Sequence, residues 1–198
     1  DIRLARGFSD DEIRKNDEDI FQEISANKEG KWRNIRFVEW FNTKDLEEKI
    51  KEISNQEIYK LLGNDATNDF TKNFELSIGG IPNGDYINFG LASAQGAENW
   101  QLITPNRTQG YGTKVLNQVY HKHYREKMIA KVNGMPNYNR TLPNPVGDDG
   151  MVYGDKVINI SNVKWSSIYP KTDDATKYIA NGEIGIHIGA VGNAYQTT

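Results

Sequence analysis

Cysteine is absent from this chain of 198 residues, which excludes disulfides and thiolate metal sites. Histidine is scarce: His121, His123 and His187 are the only three, their spacing suits no zinc cluster, and no structural metal is expected. No apolar run approaches the roughly 18 to 20 residues of a membrane span, and the opening residues Asp1 to Ile13 lack the apolar centre of a signal peptide. A cytoplasmic protein with no membrane partner is the default expectation. An excess of positive charge is missing too. The chain has 24 Lys and Arg against 27 Asp and Glu, a net charge of -3, which argues against a protein that grips nucleic acid over its whole surface. A local basic patch stays open. No Gly-x-x-x-x-Gly-Lys-Ser/Thr run occurs, so the backbone cradle and lysine that hold nucleotide phosphates are missing and the chain is not expected to hydrolyse ATP alone. No Ser, His, Asp arrangement or close carboxylate pair stands out as a hydrolytic site.

What is present is the composition of a soluble globular protein, 37% hydrophobic and 26% charged, with a polar mean hydropathy of -0.71. Ser9-Asp10-Asp11-Glu12 has the form of a helix start, and Ile13, Ile20, Phe21 and Ile24 recur at helical spacing, predicting a helix over 9–26. Asn34 to Trp40 is aromatic and β-branched and reads as a strand. A cap at Asn42 or Thr43 and the apolar stripe Leu46, Ile50, Ile53 then predict a helix, which Glu57 to Leu62 is able to continue. Residues 63–99 are mixed, with a turn at Gly79 to Gly84. Trp100 to Thr104 reads as a short buried strand ending at Pro105. After a loop holding Gly110 and Gly112, Val115, Leu116, Val119, Tyr120 and Tyr124 predict a helix over 113–130. Two strand-to-helix units of this kind are the α/β pattern. Residues 133–153, which include Pro136, Pro143 and Pro145, predict no regular element and mark a boundary. Beyond it, Asp155 to Ile160 and Glu183 to Gly189 alternate as half-buried strands do, joined by a polar connection containing Asn181-Gly182. With no initiator methionine and an end directly after a strand-like run, the chain reads as excised from something longer.

Two stretches carry a family resemblance. Leu102-Ile-Thr-Pro-Asn-Arg-Thr-Gln-Gly-Tyr-Gly-Thr-Lys-Val-Leu-Asn117 is similar to motif IV of the RecD-like (exodeoxyribonuclease V alpha-type) branch of superfamily 1 DNA helicases. Pro105, Arg107, Gly112, Leu116 and Asn117 carry the match. Gly154-Asp-Lys-Val-Ile-Asn-Ile-Ser-Asn162, followed by Asn181-Gly-Glu-Ile-Gly185, resembles the barrel inserted in that family's second motor domain. The direct resemblance covers about residues 100–189; the N-terminal half matches only in its strand and helix plan. It implies an α/β fold: residues 1–132 as a partial RecA-like, P-loop NTPase-type motor domain, 133–153 as linker and 154–192 as a small SH3-like β-barrel insertion. It also implies ATP and Mg as cofactors of the full-length parent, with none in this fragment. Single-stranded DNA and the remaining helicase domains in cis would be its partners. The paired acidic residues that hold magnesium in the first motor domain are not recognisable.

On this resemblance Arg107 is the candidate catalytic residue, a guanidinium able to reach phosphates across the interdomain cleft, with Gln109 beside it as a cofactor-binding candidate. Read without it, Arg107 is a solvated loop arginine. Gly110 and Gly112 serve either a phosphate-binding turn at a helix start or a tight strand-to-helix turn, with the tight turn preferred. Lys122 and Arg125 belong to a basic run with Tyr120 and Tyr124 interleaved, suited to a DNA backbone or, as preferred, to a solvated face with two half-buried aromatics. Lys156, Asn159, Asn162 and Trp165 on the expected barrel are nucleic-acid candidates, with Trp165 either a stacking face or core filling. The rival function is a noncatalytic protein- or nucleic-acid-binding module built on the small β unit.

Overall fold

The computed structural model describes residues 22, 26, 35–90, 93–136, 141–164 and 178–189. The chain divides into two compact units, Asp1–Asp45 and Leu46–Thr198. In the first, Gln22 and Ala26 are helical, while the rest of the expected 9–26 helix lies outside the described residues. Residues 35–40 have no regular structure, so the strand expected at 34–40 is not formed among the described residues. An extended run becomes a strand only when a neighbour supplies the ladder, and none does. The start of α1 (Thr43–Leu62) is built as its sequence suggests. Asp45 N–H donates to Asn42 Oδ1 at 3.0 Å, and Phe41 N–H donates to Asp45 Oδ2 at 2.9 Å. This reciprocal arrangement satisfies amides that a helix start leaves without partners.

The second unit is organised around five buried residues, Ile58, Phe74, Ile78, Phe89 and Tyr124, against which Trp100, Tyr120, Tyr153 and Ile186 pack. Ile58 comes from α1. Phe74 belongs to α2 (Phe70–Ser77), capped by Asp69, whose carboxylate accepts from the amides of Thr71 and Lys72. Next comes a hairpin, β1 (Ile81–Asn83) and β2 (Tyr86–Asn88), antiparallel with Asn83 opposite Tyr86. Gly84 turns it with φ +59°, so the expected glycine-rich turn is a hairpin loop. A short helix α3 (Ser93–Gly96) follows, and its Gly96 lies so near Gly79 that a Cβ there would sit 2.2 Å from the Gly79 Cα. The long helix α4 (Thr113–Asn133) matches the expected 113–130 helix and runs three residues further.

Tyr124 shows why α4 docks where it does. Its ring stacks on Phe74 with centroids 4.4 Å apart, and its hydroxyl donates to Asn55 Oδ1 on α1 at 2.7 Å. Burial pushes the phenol above its usual range, with a coulombic contribution from Tyr120 adding to it. Tyr120 bonds Ser54 through its hydroxyl. The two tyrosines are therefore packing residues, as the i, i+4 spacing suggests.

Of residues 133–153, Asn133 ends α4 and the rest of the described part holds only an isolated bridge between Val146 and Met151; four short strands follow. β3 (Asp155–Ile158) pairs antiparallel with β6 (Ile184–His187), and β4 (Val163–Lys164) pairs with β5 (Tyr178–Ile179) inside the same connection. The two ladders are nested. Gly182 makes the turn before β6 with φ +92°, as the Asn-Gly pair suggests.

The described residues are thus a mixture of helices and small antiparallel sheets, the coarse α/β expectation. They form neither a RecA-like parallel sheet nor a closed barrel. Each sheet has two strands, and the strand expected at Trp100–Thr104 joins none. Trp100 is held instead by side-chain contacts: its indole N–H donates to Ser77 Oγ at 2.9 Å, and its ring meets Phe74 edge-on at 6.0 Å. Leu102 and Ile103, expected to be buried, are exposed, Ile103 at 84%. Alternation and apolar content mark an extended segment, but the hydrogen bonds of a ladder come from a second segment that local sequence does not identify.

Candidate functional site

The loop between residue 104 and α4 is pinned at both ends. Thr104 Oγ1 donates to the Tyr111 carbonyl at 2.7 Å, Thr113 N–H to Asn106 O at 2.9 Å and Lys114 N–H to Arg107 O at 3.2 Å. The first two amides of α4 are therefore occupied by the loop's own carbonyls. Gly112, the N-cap, is buried, and a Cβ on it would stand 2.6 Å from the Arg107 carbonyl carbon. This is the tight-turn role of the glycine; a phosphate cradle would need those amides free. The turn leaves the side chains of Arg107 and Gln109 exposed, with no hydrogen bond or ion pair among the described residues. A charged guanidinium on a braced turn, held by nothing else, is available to an anion from outside. Leu116 anchors the other end of the segment in the interior and Asn117 faces solvent.

The remaining candidates separate by environment. Arg125 is 2% exposed, and its guanidinium is committed inside the unit. Nε donates to Asp155 Oδ1 at 2.8 Å, Nη1 to Glu75 Oε1 at 2.5 Å, and Nη2 to the Tyr153 carbonyl. Its neighbour Lys122 is exposed. Of the two basic residues expected along one DNA face, one points outward and the other ties α4 to α2 and β3. Helical spacing distinguishes the two only when the inward stripe is known, and an arginine inside that stripe reads as polar from sequence.

Asp155 is the centre of this cluster. Its Oδ2 accepts from Val152 N–H at 2.8 Å and lies 3.0 Å from His121 Nε2. Opposite it in the ladder, His187 has its pKa held below the usual histidine range by burial, with Asp155 opposing the shift. Lys156 is half-buried: its ammonium donates to the Trp100 carbonyl and lies 5.2 Å from the Trp100 ring centroid. Burial lowers its pKa, and Glu98 opposes that. Asn159 Nδ2 donates to the carbonyls of Ile179 and Ala180 at 3.2 and 2.7 Å, and Asn162 Oδ1 accepts from Asn181 N–H at 2.9 Å. Both amides knit the hairpin connection, which is why an Asn-rich strand end looked like a binding surface in sequence. Trp165 lies outside the described residues.

The structure thus does not gather the sequence candidates into one site. Arg107 and Gln109 share an exposed turn, Arg125 and Lys156 serve the interior, and Asn159 and Asn162 close the hairpins. Among the described residues no group of three or more His, Asp or Glu is placed to hold a metal ion, and no helix is long and apolar enough to cross a membrane. Comparison of the chain with protein-family models, curated proteins and solved structures finds no match. Sequence reasoning overlooked the recess between α1 and α2, where Tyr59 and Phe70 are exposed aromatics. Its one legible signal is Asn55 and Tyr59 standing four apart on a helix whose buried residue is Ile58.

Proposed function

We propose that the chain is part of the second motor domain of a RecD-like superfamily 1 DNA helicase, carrying a small barrel-type insertion and inactive as an ATPase alone. In the complete enzyme, ATP and Mg bind between this domain and a first motor domain, and Arg107 stabilises charge developing on the transferring phosphoryl group. Single-stranded DNA is the track, bound through phosphate contacts and stacking with little sequence preference.

The observation that carries this reading is the exposed Arg107, without a side-chain partner among the described residues, on a turn braced by Thr104, Asn106 and Gly112, in the segment that resembles motif IV. The nested β3–β6 and β4–β5 ladders add support, because they fall in the stretch that resembles the inserted barrel. An immunoblot of source-cell lysate with an antibody against this chain tests the reading. A band several times heavier than 22.5 kDa is expected; a single band at that mass contradicts it.

A noncatalytic binding module is the second reading, favoured by the exposure of Ile158 and Ile160 at the end of β3. Exposed apolar residues at the end of a short strand and two residues beyond it suit a protein partner. Loss of a pull-down partner on changing both to Thr, with ATP turnover of the longer polypeptide unaffected, would support the module.

A further inference from the structure

Within the 46–198 unit a recess of about 250 Å³ opens between α1 and the segment that leads into α2. One wall is a single turn of α1, Asn55, Ile58 and Tyr59; the other is Thr67, Asn68, Phe70 and Asn73. The second wall is rigidly made. Asn73 Oδ1 accepts from both the amide and the hydroxyl of Thr67 at 2.8 Å, and its Nδ2 donates to Thr67 O at 2.8 Å. The Phe70 ring is fixed by stacking on His123, centroids 4.7 Å apart and planes 8° from parallel, yet stays 43% exposed. Across the recess Tyr59 is 55% exposed, with no hydrogen-bond partner for its hydroxyl among the described residues.

The polar groups divide into spent and available ones. Asn73 and Thr67 satisfy each other, and Asn55 Oδ1 accepts the Tyr124 hydroxyl at 2.7 Å. Asn55 Nδ2 and the whole Asn68 carboxamide have no partner among the described residues. The adjoining carboxylate of Asp69 is offset by Lys127 at 2.7 Å and by the α2 amides, so it opposes a polyanion weakly. Two exposed rings beside amides with unused hydrogen-bonding capacity suit a flat molecule with donors and acceptors on its edge. The volume lies below the roughly 300–1,000 Å³ of sites that take drug-sized ligands, so one ring system is the natural occupant.

We propose that this recess takes one unpaired nucleobase of a single strand, stacked against Phe70 and Tyr59 and hydrogen-bonded on its edge by Asn55 and Asn68. An asparagine amide carries both a donor and an acceptor and so suits the edge of any base, adenine among them, in keeping with a track of little sequence preference. The proposal rests on the single-stranded DNA partner named above, and two measurements separate the fate of each.

Titration of the chain with 2′-deoxyadenosine, followed by the side-chain amide resonances of Asn55 and Asn68, tests the recess itself. Those resonances are expected to move, and to stay still in Tyr59→Ala. Binding of a fluorescein-labelled oligodeoxyadenylate, compared with an abasic strand of equal length, tests the partner. Tyr59→Ala is expected to weaken the first by about tenfold and leave the second unchanged. Tyr59 is exposed and makes no polar contact among the described residues, and unaltered circular dichroism confirms that the variant folds. Amide shifts without oligonucleotide binding uphold the recess and overturn the DNA reading. Oligonucleotide binding indifferent to Tyr59→Ala, with still amides, overturns the recess and leaves the DNA reading standing. Neither response overturns both.

Discussion

Replacing Arg125 by Ala is expected to be among the most damaging single changes in the 46–198 unit. The side chain is 2% exposed and joins two carboxylates that are themselves nearly dry, Asp155 at 8% and Glu75 at 13%. Its truncation removes three charge-assisted hydrogen bonds and leaves both carboxylates without their cation. Breaking a buried pair on one side costs about 3–5 kcal/mol, a large share of the roughly 5–15 kcal/mol that holds a domain together. The penalty comes from stranding the partners more than from the pair's net worth, so the triple change Glu75→Gln, Arg125→Met, Asp155→Asn should recover most of it. Arg125→Lys keeps the charge, but its single ammonium cannot span three acceptors on two elements and a loop, and it should fall between. Urea denaturation followed by circular dichroism, with slopes compared to verify two-state unfolding, reads all four proteins. A loss below about 1 kcal/mol in Arg125→Ala, the size typical of an exposed pair, would refute the argument by showing that water reaches the carboxylates.

Other expectations follow from packing and protonation. Gly96→Ala drives a methyl into the Gly79 backbone and should destabilise by about 1–3 kcal/mol, read as a lowered Tm. His123 and His187 are both held below the usual histidine pKa, mainly by burial. The unfolded chain therefore binds protons first. The stability they contribute is complete above the unfolded value of about 6.5 and is lost as pH falls through the lower folded values, so urea midpoints should decline below that pH and decline less in His123→Gln. Asp69 is lowered chiefly by its hydrogen bond to Lys127; its contribution is present above about pH 3.9 and fades as pH falls through the folded value, a slope that Asp69→Asn should remove.

Two helices, α1 and α4, were legible because each has its own signals, whereas α2 and α3 lie in residues 63–99, which read only as mixed. A cap at Asn42 or Thr43 and the stripe Leu46, Ile50, Ile53 announce α1, and the apolar spacing through Tyr124 announces α4, which runs three residues beyond the expected limit and is capped by Gly134. β3 and β6 were legible from alternation and the Asn-Gly turn between them. Residues 100–104 were misread as a buried strand because a ladder depends on a partner that local sequence does not name. Arg125 was misread for a related reason: a basic run on a helix hides which members face inward, and only Glu75 and Asp155, distant in sequence, settle it. Asn159 and Asn162 have the chemistry of a binding edge, yet their amides close the hairpin connection. Arg107, Gln109 and Lys122 are exposed, as the solvated-loop and solvated-face readings of them require.

The most direct test of the motor reading is DNA-stimulated ATP turnover of the full-length polypeptide with Arg107 intact and with Arg107→Ala. Turnover is expected to fall on the order of a hundredfold or more, the size of losing a group that stabilises transition-state charge, with single-stranded DNA affinity and folding stability little changed. Unaltered turnover in the variant would contradict the role given to Arg107 and, with it, the central claim for this chain.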